Sequence, residues 1–440
     1  MLDSINKHDC KYREVVMYKL SDYNTIWKYS DDLYLAFNSL SGSVLTLSPN
    51  IYEALITDKW KRISQKTIDS LVKSYILIPE DVESKDVFYF EMLNVRARKD
   101  RLGIFVVPSR LCNLACTYCM QNNLFENKSD SVITKDIIDK YYDWIFNKIM
   151  LWDSKRLDII FYGGEPLTTD ITVLQYLIDR FDQLPIKPSY KMITNGTKLL
   201  EYQQCLTRMD VIQITLDGNV DVHDKRRVTK NHSGTFKIIL HNIIEYLKLS
   251  EKNKIVIRMN IDKENRGTLL RDIKEITSKL PLDQIEIRLS PVDPYLPGMT
   301  DAMVHGDIRE TARAMVQAHD FLKRQYDMSP YIWRVNCGVS SICQWSFDTD
   351  GSIYKCPALT GDPSRAVCNT ASDNFAGSFY KTVAHVTTDE ECLRCPHLGL
   401  CYGGCMRQEE FSGHKSCKKV FFDEYVKPMI EIKYGLTRRS

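Results

Sequence analysis

Residues 101–119 read Arg-Leu-Gly-Ile-Phe-Val-Val-Pro-Ser-Arg-Leu-Cys-Asn-Leu-Ala-Cys-Thr-Tyr-Cys. A strand-like apolar run, Gly103 to Val107, leads directly into Cys112, Cys116 and Cys119, spaced Cys-x3-Cys-x2-Cys. Three soft thiolates on one short loop suit an iron–sulfur cluster better than a closed structural zinc site, which takes four ligands. A fragment of a zinc site is the other reading of the triplet taken alone.

The strand pattern repeats downstream. Asp158–Tyr162, Lys191–Thr194, Val211–Thr215, Ile255–Met259 and Gln284–Arg288 are strand-like, with amphipathic stretches near 134–150, 171–183, 234–248 and 267–279 between them. Such alternation gives a parallel βα series. Six units are too few for a closed eight-fold barrel, so an α/β fold with an open, partial (β/α)6 barrel is expected over 102–310. Active sites in such folds lie at the C-terminal ends of the strands, where the first cysteine group stands.

Residues 1–95 read as a separate module. Tyr34–Asn38 and Ser43–Leu47 suggest a hairpin; Asn50 is a candidate cap for a helix through Leu55, and a second helix is expected from Gln65 to Ser74. Tyr75–Ile78 and an acidic stretch follow. Hairpin plus short helices is winged-helix-like, an arrangement that binds partner chains; a cap packed on the main domain is the alternative. Residues 330–425 are loop-rich and hold nine of the fourteen cysteines, with a hairpin over Trp345–Tyr354 turned at Asp350-Gly351. So few apolar runs call for cross-links, which metal clusters would supply. Residues 426–440 read as a C-terminal tail.

The 440 residues are 44% hydrophobic and 26% charged, as in a globular chain of two or three domains. Lys+Arg 59 against Asp+Glu 57 leaves +2, no electrostatic footprint for nucleic acid or an anionic membrane. No apolar run approaches the roughly 18 residues of a bilayer span. The first residues have neither a basic nor an apolar signal region, so a cytoplasmic location is expected. Clustered cysteines in such a chain point to metal or catalysis rather than to bridges. Cys10, Cys205 and Cys368 are scattered and read as ordinary residues.

More motifs stand at strand ends. Gly163-Gly164-Glu165-Pro166 follows the second strand and Thr194-Asn195-Gly196-Thr197 the third. Thr215-Leu216-Asp217-Gly218 and then His223-Asp224-Lys225-Arg226-Arg227 follow the fourth. With the cysteine triplet and Tyr118, this set over 102–290 resembles the radical S-adenosylmethionine family. The resemblance implies a 4Fe–4S cluster on Cys112, Cys116 and Cys119 whose open iron chelates S-adenosylmethionine. It implies cofactor contacts from Tyr118, Gly163, Gly164, Glu165, Pro166, Asn195, Thr215, Asp217 and Arg227. The glycines would let backbone approach the methionine ammonium, and Arg227 would pair with its carboxylate. A solvated basic loop is the other reading of Arg226 and Arg227. The implied chemistry is reductive cleavage to a 5′-deoxyadenosyl radical, which takes a hydrogen atom from substrate; no acid or base is assigned to the protein.

Cys392-x2-Cys395-x5-Cys401-x3-Cys405, with Cys337, Cys343 and Cys356 before it and Cys417 after it, resembles the SPASM extension of that family. The resemblance implies two further 4Fe–4S clusters, one on Cys337, Cys343, Cys356 and Cys405 and one on Cys392, Cys395, Cys401 and Cys417. Two zinc-ribbon-like sites are the alternative. SPASM enzymes largely modify peptides and proteins. The N-terminal module over 30–85 weakly resembles a leader-peptide recognition element, which adds a peptide strand to its sheet edge. The expected function is therefore maturation of a ribosomally made precursor peptide by a thioether or carbon–carbon cross-link, with a flavodoxin- or ferredoxin-type reductant. Alternatives are a sulfatase-maturing enzyme, a peptide epimerase and an iron–sulfur binding or electron-carrier protein.

Overall fold

The computed structural model of the chain describes residues 17–59, 62–119, 121, 131–250, 253–281, 283–294, 301–322, 337–372, 374–413 and 416–436; Cys10 lies outside them. In the N-terminal module β1 (Tyr18–Leu20) pairs antiparallel with β5 (Leu77–Pro79). Between them β2 (Asn24–Ser30), β3 (Leu33–Asn38) and β4 (Val44–Leu47) form an antiparallel meander, and β3–β4 is the expected hairpin. Alternation along β3 puts Leu35 and Phe37 into the main core and Ala36 into a small second core with Leu55, Ile68 and Leu71. Both faces of the meander are thus covered, and the module is docked on the rest of the chain.

Its first helix, Pro49–Ile56, is capped by Ser48 and not by Asn50. The Ser48 hydroxyl accepts from the Ile51 amide, and Pro49 occupies the first turn, where no amide is needed. The second helix, Gln65–Lys73, starts on a Ser64 cap and ends at Ser74. What reads as an acidic stretch contains a third helix, Ser84–Arg96, whose Phe88 and Met92 pack with Tyr23 and with Leu393 and Leu398 of the C-terminal region.

The main sheet follows the expected series. β6 (Arg101–Val106), β7 (Arg156–Phe161), β8 (Ser189–Thr194), β9 (Val211–Thr215), β10 (Lys254–Ile261) and β11 (Ile285–Pro291) each pair in parallel with the next. Helices Lys135–Trp152, Ile171–Phe181, Phe236–Leu249 and Leu269–Thr277 lie between them. Leu157, Ile159 and Phe161 of β7 enter the core formed with helix residues such as Ile145, Leu177 and Ile243. The intervening side chains, Ile160 on β7 and Lys191 and Ile193 on β8, line a central cavity instead.

The sheet does not stop at six strands. β12 (Gln344–Phe347) pairs in parallel with β6, β13 (Ser352–Tyr354) returns antiparallel around Gly351, and β14 (Cys368–Asn369) forms the edge. The order β11-β10-β9-β8-β7-β6-β12-β13-β14 is open. The Asp-Gly hairpin is therefore continuous with the main sheet, and a division at 330 does not separate it. It also has its own apolar contacts: Trp345 and Phe347 lie 5.1 and 5.3 Å from the Trp144 ring, and Phe379 stacks 5.5 Å from Trp345.

Two helices change the expected boundaries. Ile308–Leu322 crosses residue 310, and Lys419–Lys433 takes up much of the expected tail. They pack together through Met315, Leu322, Tyr425 and Met429, with Arg313 paired to Glu424 at 2.9 Å. Trp27 Nε1 donates to Glu431 at 3.0 Å, joining the N-terminal module to this last helix. Among the described residues no helix is long and apolar enough to cross a membrane.

Candidate active site

The first cysteine loop is clamped from two sides. Its backbone accepts from the Gly164 amide at Ser109 (3.1 Å) and from the Glu165 amide at Leu111 (2.8 Å). On the other side Ala115 N and Thr117 N donate to Val228 and Arg226 carbonyls at 2.7 and 2.9 Å. A Cβ on Gly164 would stand 2.4 Å from the Arg110 carbonyl oxygen. The glycine therefore lets the two loops touch. Arg110, 1% exposed, anchors the loop to the β12–β13 hairpin through Asp348 at 2.7 Å and Asp350 at 2.9 Å.

Glu165 is committed to the scaffold. Its Oε1 accepts from Thr194 Oγ1 (2.6 Å) and Leu167 N (3.0 Å), and its Oε2 from Asn195 N (2.7 Å). The carboxylate thus ties the second-strand motif to the third. Pro166 opens the short turn that follows. Asn195 Nδ2 reaches Asn113 Oδ1 on the cysteine loop at 2.8 Å.

Tyr118, Asp217 and Arg227 form one buried network. The Tyr118 hydroxyl donates to Asp217 Oδ2 and receives Arg227 Nη1 at 2.8 Å and Asn260 Nδ2 at 3.1 Å. Burial first, and then the Asp217 charge, holds the phenol far above its ordinary range despite Arg227. Arg226 and Arg227 are only 6% and 8% exposed, so the solvated-loop reading is excluded. Arg226 is engaged by Asp262 at 2.7 Å, whereas Arg227 Nε has no partner among the described residues. Thr215 lines the cavity beside Arg227. His223 accepts from the Asp217 amide and contacts Thr235; burial and then Arg227 push it down to about 4, so it is a neutral structural group.

The central cavity measures about 790 Å³. Tyr118 and Cys119 border it on one side and Cys337, Cys356 and Cys405 on another. A second cavity of about 120 Å³ is ringed by Cys392, Cys395, Cys401 and Cys417. Burial raises Cys356 to about 12 with Cys337 and Cys405 adding to it, and raises Cys401 to about 11 with Cys395, Cys392 and Cys417 adding. Cys405 thus lies at the larger cavity with Cys337 and Cys356, apart from its sequence neighbours at the smaller one. Cys343 is the exception. Its thiol is 3% exposed and borders neither cavity, and its charged neighbours are Lys355, Asp100 and Lys99 instead of the other three cysteines. Strand alternation explains this: Cys343 shares the core face of Trp345 and Phe347, while Gln344 faces the cavity. Sequence spacing also missed Lys191, Gln213, Arg258 and Arg288, which line the cavity from alternate strand positions.

No three described His, Cys, Asp or Glu side chains converge on one metal ion. The donor sets, with the unpartnered Arg227 nitrogen beside the first, fit clusters and an anionic ligand.

The fold is an open, mostly parallel sheet with cysteine-bearing loops around its cavities. The family described as "4Fe-4S single cluster domain" matches residues 101–241. The chain is 25% identical over 341 residues to the cysteine-type anaerobic sulfatase-maturating enzyme of Clostridium novyi, covering 70% of this chain and 89% of that one. It is 24% identical over 305 residues to the radical SAM cyclopropyl synthase TigE of Paramaledivibacter caminithermalis, covering 61% and 62%. Among solved structures, anSMEcpe with bound AdoMet aligns with a TM-score of 0.62 at 18% identity, over 76% of this chain and 100% of that one. Streptococcus suis SuiB bound to its precursor peptide SuiA aligns with a TM-score of 0.53 at 13% identity, over 89% and 96%. The chain is thus similar, in sequence and in fold, to radical S-adenosylmethionine enzymes that act on peptides or proteins.

Proposed function

We propose that this enzyme matures a precursor peptide, forming an intrapeptide thioether or carbon–carbon bond within the central cavity. The carrying observation is the cavity itself: about 790 Å³, bordered by the Cys119 loop and by Cys337, Cys356 and Cys405, it has room for a peptide segment between two cysteine sets. The fold likeness to SuiB extends over 89% of this chain against 76% for anSMEcpe, which supports a role for the N-terminal module in holding a leader segment. Among the described residues β4 is an edge strand of the meander, suited to accept an added peptide strand.

Cys112, Cys116 and Cys119 would hold the first cluster, with S-adenosylmethionine at its open iron. Cys392, Cys395, Cys401 and Cys417 would hold a second, and Cys337, Cys356 and Cys405 a third. When reduced, the first cluster and S-adenosylmethionine together supply a carbon radical able to take hydrogen from an unactivated carbon. The chain's own residues do the positioning. Arg227, whose Nε has no partner among the described residues, would pair with the cofactor's carboxylate, and Thr215 on the same cavity wall would offer a hydroxyl. Tyr118 holds the Arg227 guanidinium through Nη1, and the walls of the cavity limit water.

Sulfatase maturation is the second reading, favoured by the 25% identity to the Clostridium novyi enzyme. Anaerobic reconstitution with S-adenosylmethionine and dithionite should release 5′-deoxyadenosine, and Cys116→Ala should abolish that release. Retained cleavage in the variant would overturn the assignment of the site. Turnover of a short Cys- or Ser-containing peptide that lacks a leader would favour the second reading.

A further inference from the structure

The inner face of the sheet is cationic where a folding core would be apolar. Thr215, Arg258 and Arg288 stand side by side across β9, β10 and β11, and all three line the central cavity. Lys191 reaches the same surface from β8, its Nζ 3.0 Å from Gln213 Oε1. The bonds of Arg258 run to neutral groups, Nε to Asn260 Oδ1 at 2.9 Å and Nη2 to Ser290 Oγ at 3.0 Å. Glu286 is the carboxylate within this group, and it already receives Arg288 at 2.7 Å and Lys254 at 2.5 Å. Elsewhere on the lining, Asp293 and Glu410 are paired with Lys418 and Arg365.

Among the described residues Glu286 is the carboxylate that Lys191, Arg258 and Arg288 share, and the three cations crowd a partly desolvated space. Lys191 is pushed down to about 8, first by burial and then by Arg288 and Arg258. Apolar side chains at the same strand positions would avoid this repulsion. An incoming anion would relieve it.

We propose that Lys191, Arg258 and Arg288 form an anion site in the cavity floor that binds a carboxylate of the substrate peptide. The proposal rests on the peptide-maturase reading and names the chemistry its substrate must carry. The carboxylate belongs either to an Asp or Glu side chain near the modified residue or to the peptide's C-terminus.

The test uses the full chain, reconstituted anaerobically and saturated with S-adenosylmethionine, so that the cofactor's own carboxylate is already placed. Three probes are titrated by ligand-observed NMR: N-acetyl-glutamate amide, N-acetyl-glutamine amide and N-acetylglycine. At least one acid should bind about tenfold or more tightly than the neutral amide, and Lys191→Gln and Arg258→Gln should each remove about tenfold of that preference. Preference for the glutamate probe assigns a side-chain carboxylate, and preference for N-acetylglycine assigns the C-terminal one. Equal binding of acidic and neutral probes, or a preference unchanged in both variants, overturns the site. 5′-Deoxyadenosine release in the same samples separates the two ideas. Cleavage without acid preference sinks only the anion site, and acid preference without cleavage sinks only the enzymatic reading.

Discussion

Replacing Asp348 with Asn should unlatch the first cysteine loop while changing almost no volume. Asp348 is fully buried, and its Oδ1 accepts from Arg110 Nε at 2.7 Å and Thr349 N at 2.8 Å, while Oδ2 accepts from Gly361 N at 2.6 Å. An asparagine must turn its NH2 toward one of these donors and leaves the Arg110 charge half-paired. Breaking a buried pair from one side costs about 3–5 kcal/mol. Asp350 still holds Arg110 Nη2 at 2.9 Å and is 26% exposed, so the lower end, about 3 kcal/mol, is expected. Urea unfolding followed by tryptophan fluorescence suits the question, because Trp345 lies on β12 and packs on Trp144. The paired change Arg110→Met with Asp348→Leu should recover much of the loss, since an apolar pair carries no buried charge. A loss under about 1 kcal/mol for the Asn variant, or a double variant as unstable as the summed singles, would refute the latch.

Other outcomes follow from the same geometry. Cys343→Ala should leave iron content unchanged, whereas Cys356→Ala should lower it by about one cluster; equal losses would restore Cys343 as a ligand. Gly164→Ala should disrupt the cysteine loop, because its new Cβ would meet the Arg110 carbonyl at 2.4 Å, and S-adenosylmethionine cleavage should drop with it. His223 titrates near 4 in the folded chain against an ordinary 6.5, so between those values the unfolded chain binds the extra proton. Stability should therefore fall as pH drops from about 6.5 toward 4, and His223→Gln should flatten that slope in urea titrations at several pH values.

The parallel series was legible because each strand alternates or runs apolar between helices with clear stripes, such as Leu174, Leu177, Ile178 and Phe181. The helix Ser84–Arg96 was not, because exposed Phe90 and Leu93 blur the stripe made by Phe88 and Met92. The pairing of β12 with β6 has no local signal at all; a strand's partner across more than two hundred residues is chosen by tertiary packing. At the site, motif spacing picked out the cysteines that line the two cavities and the buried Arg227, but it carried no sign that Cys343 lies on the core face of its strand. Period-two alternation through Cys343, Trp345 and Phe347 was the signal that would have turned it inward. The same alternation, applied to strands read only for their apolar content, would have exposed Lys191, Gln213, Arg258 and Arg288 as cavity residues.

The junction of β12 with β6 also bears on the order in which the molecule is completed. Residues 101–119 leave the ribosome long before residue 344, so the growing chain carries β6 as a bare sheet edge and Arg110 as an unmatched charge. Only when Gln344–Phe347 docks and Asp348 arrives does the loop bearing Cys112, Cys116 and Cys119 acquire its third anchor. A product truncated before residue 344 would therefore offer an unpaired strand to its neighbours and leave Arg110 without its buried partner.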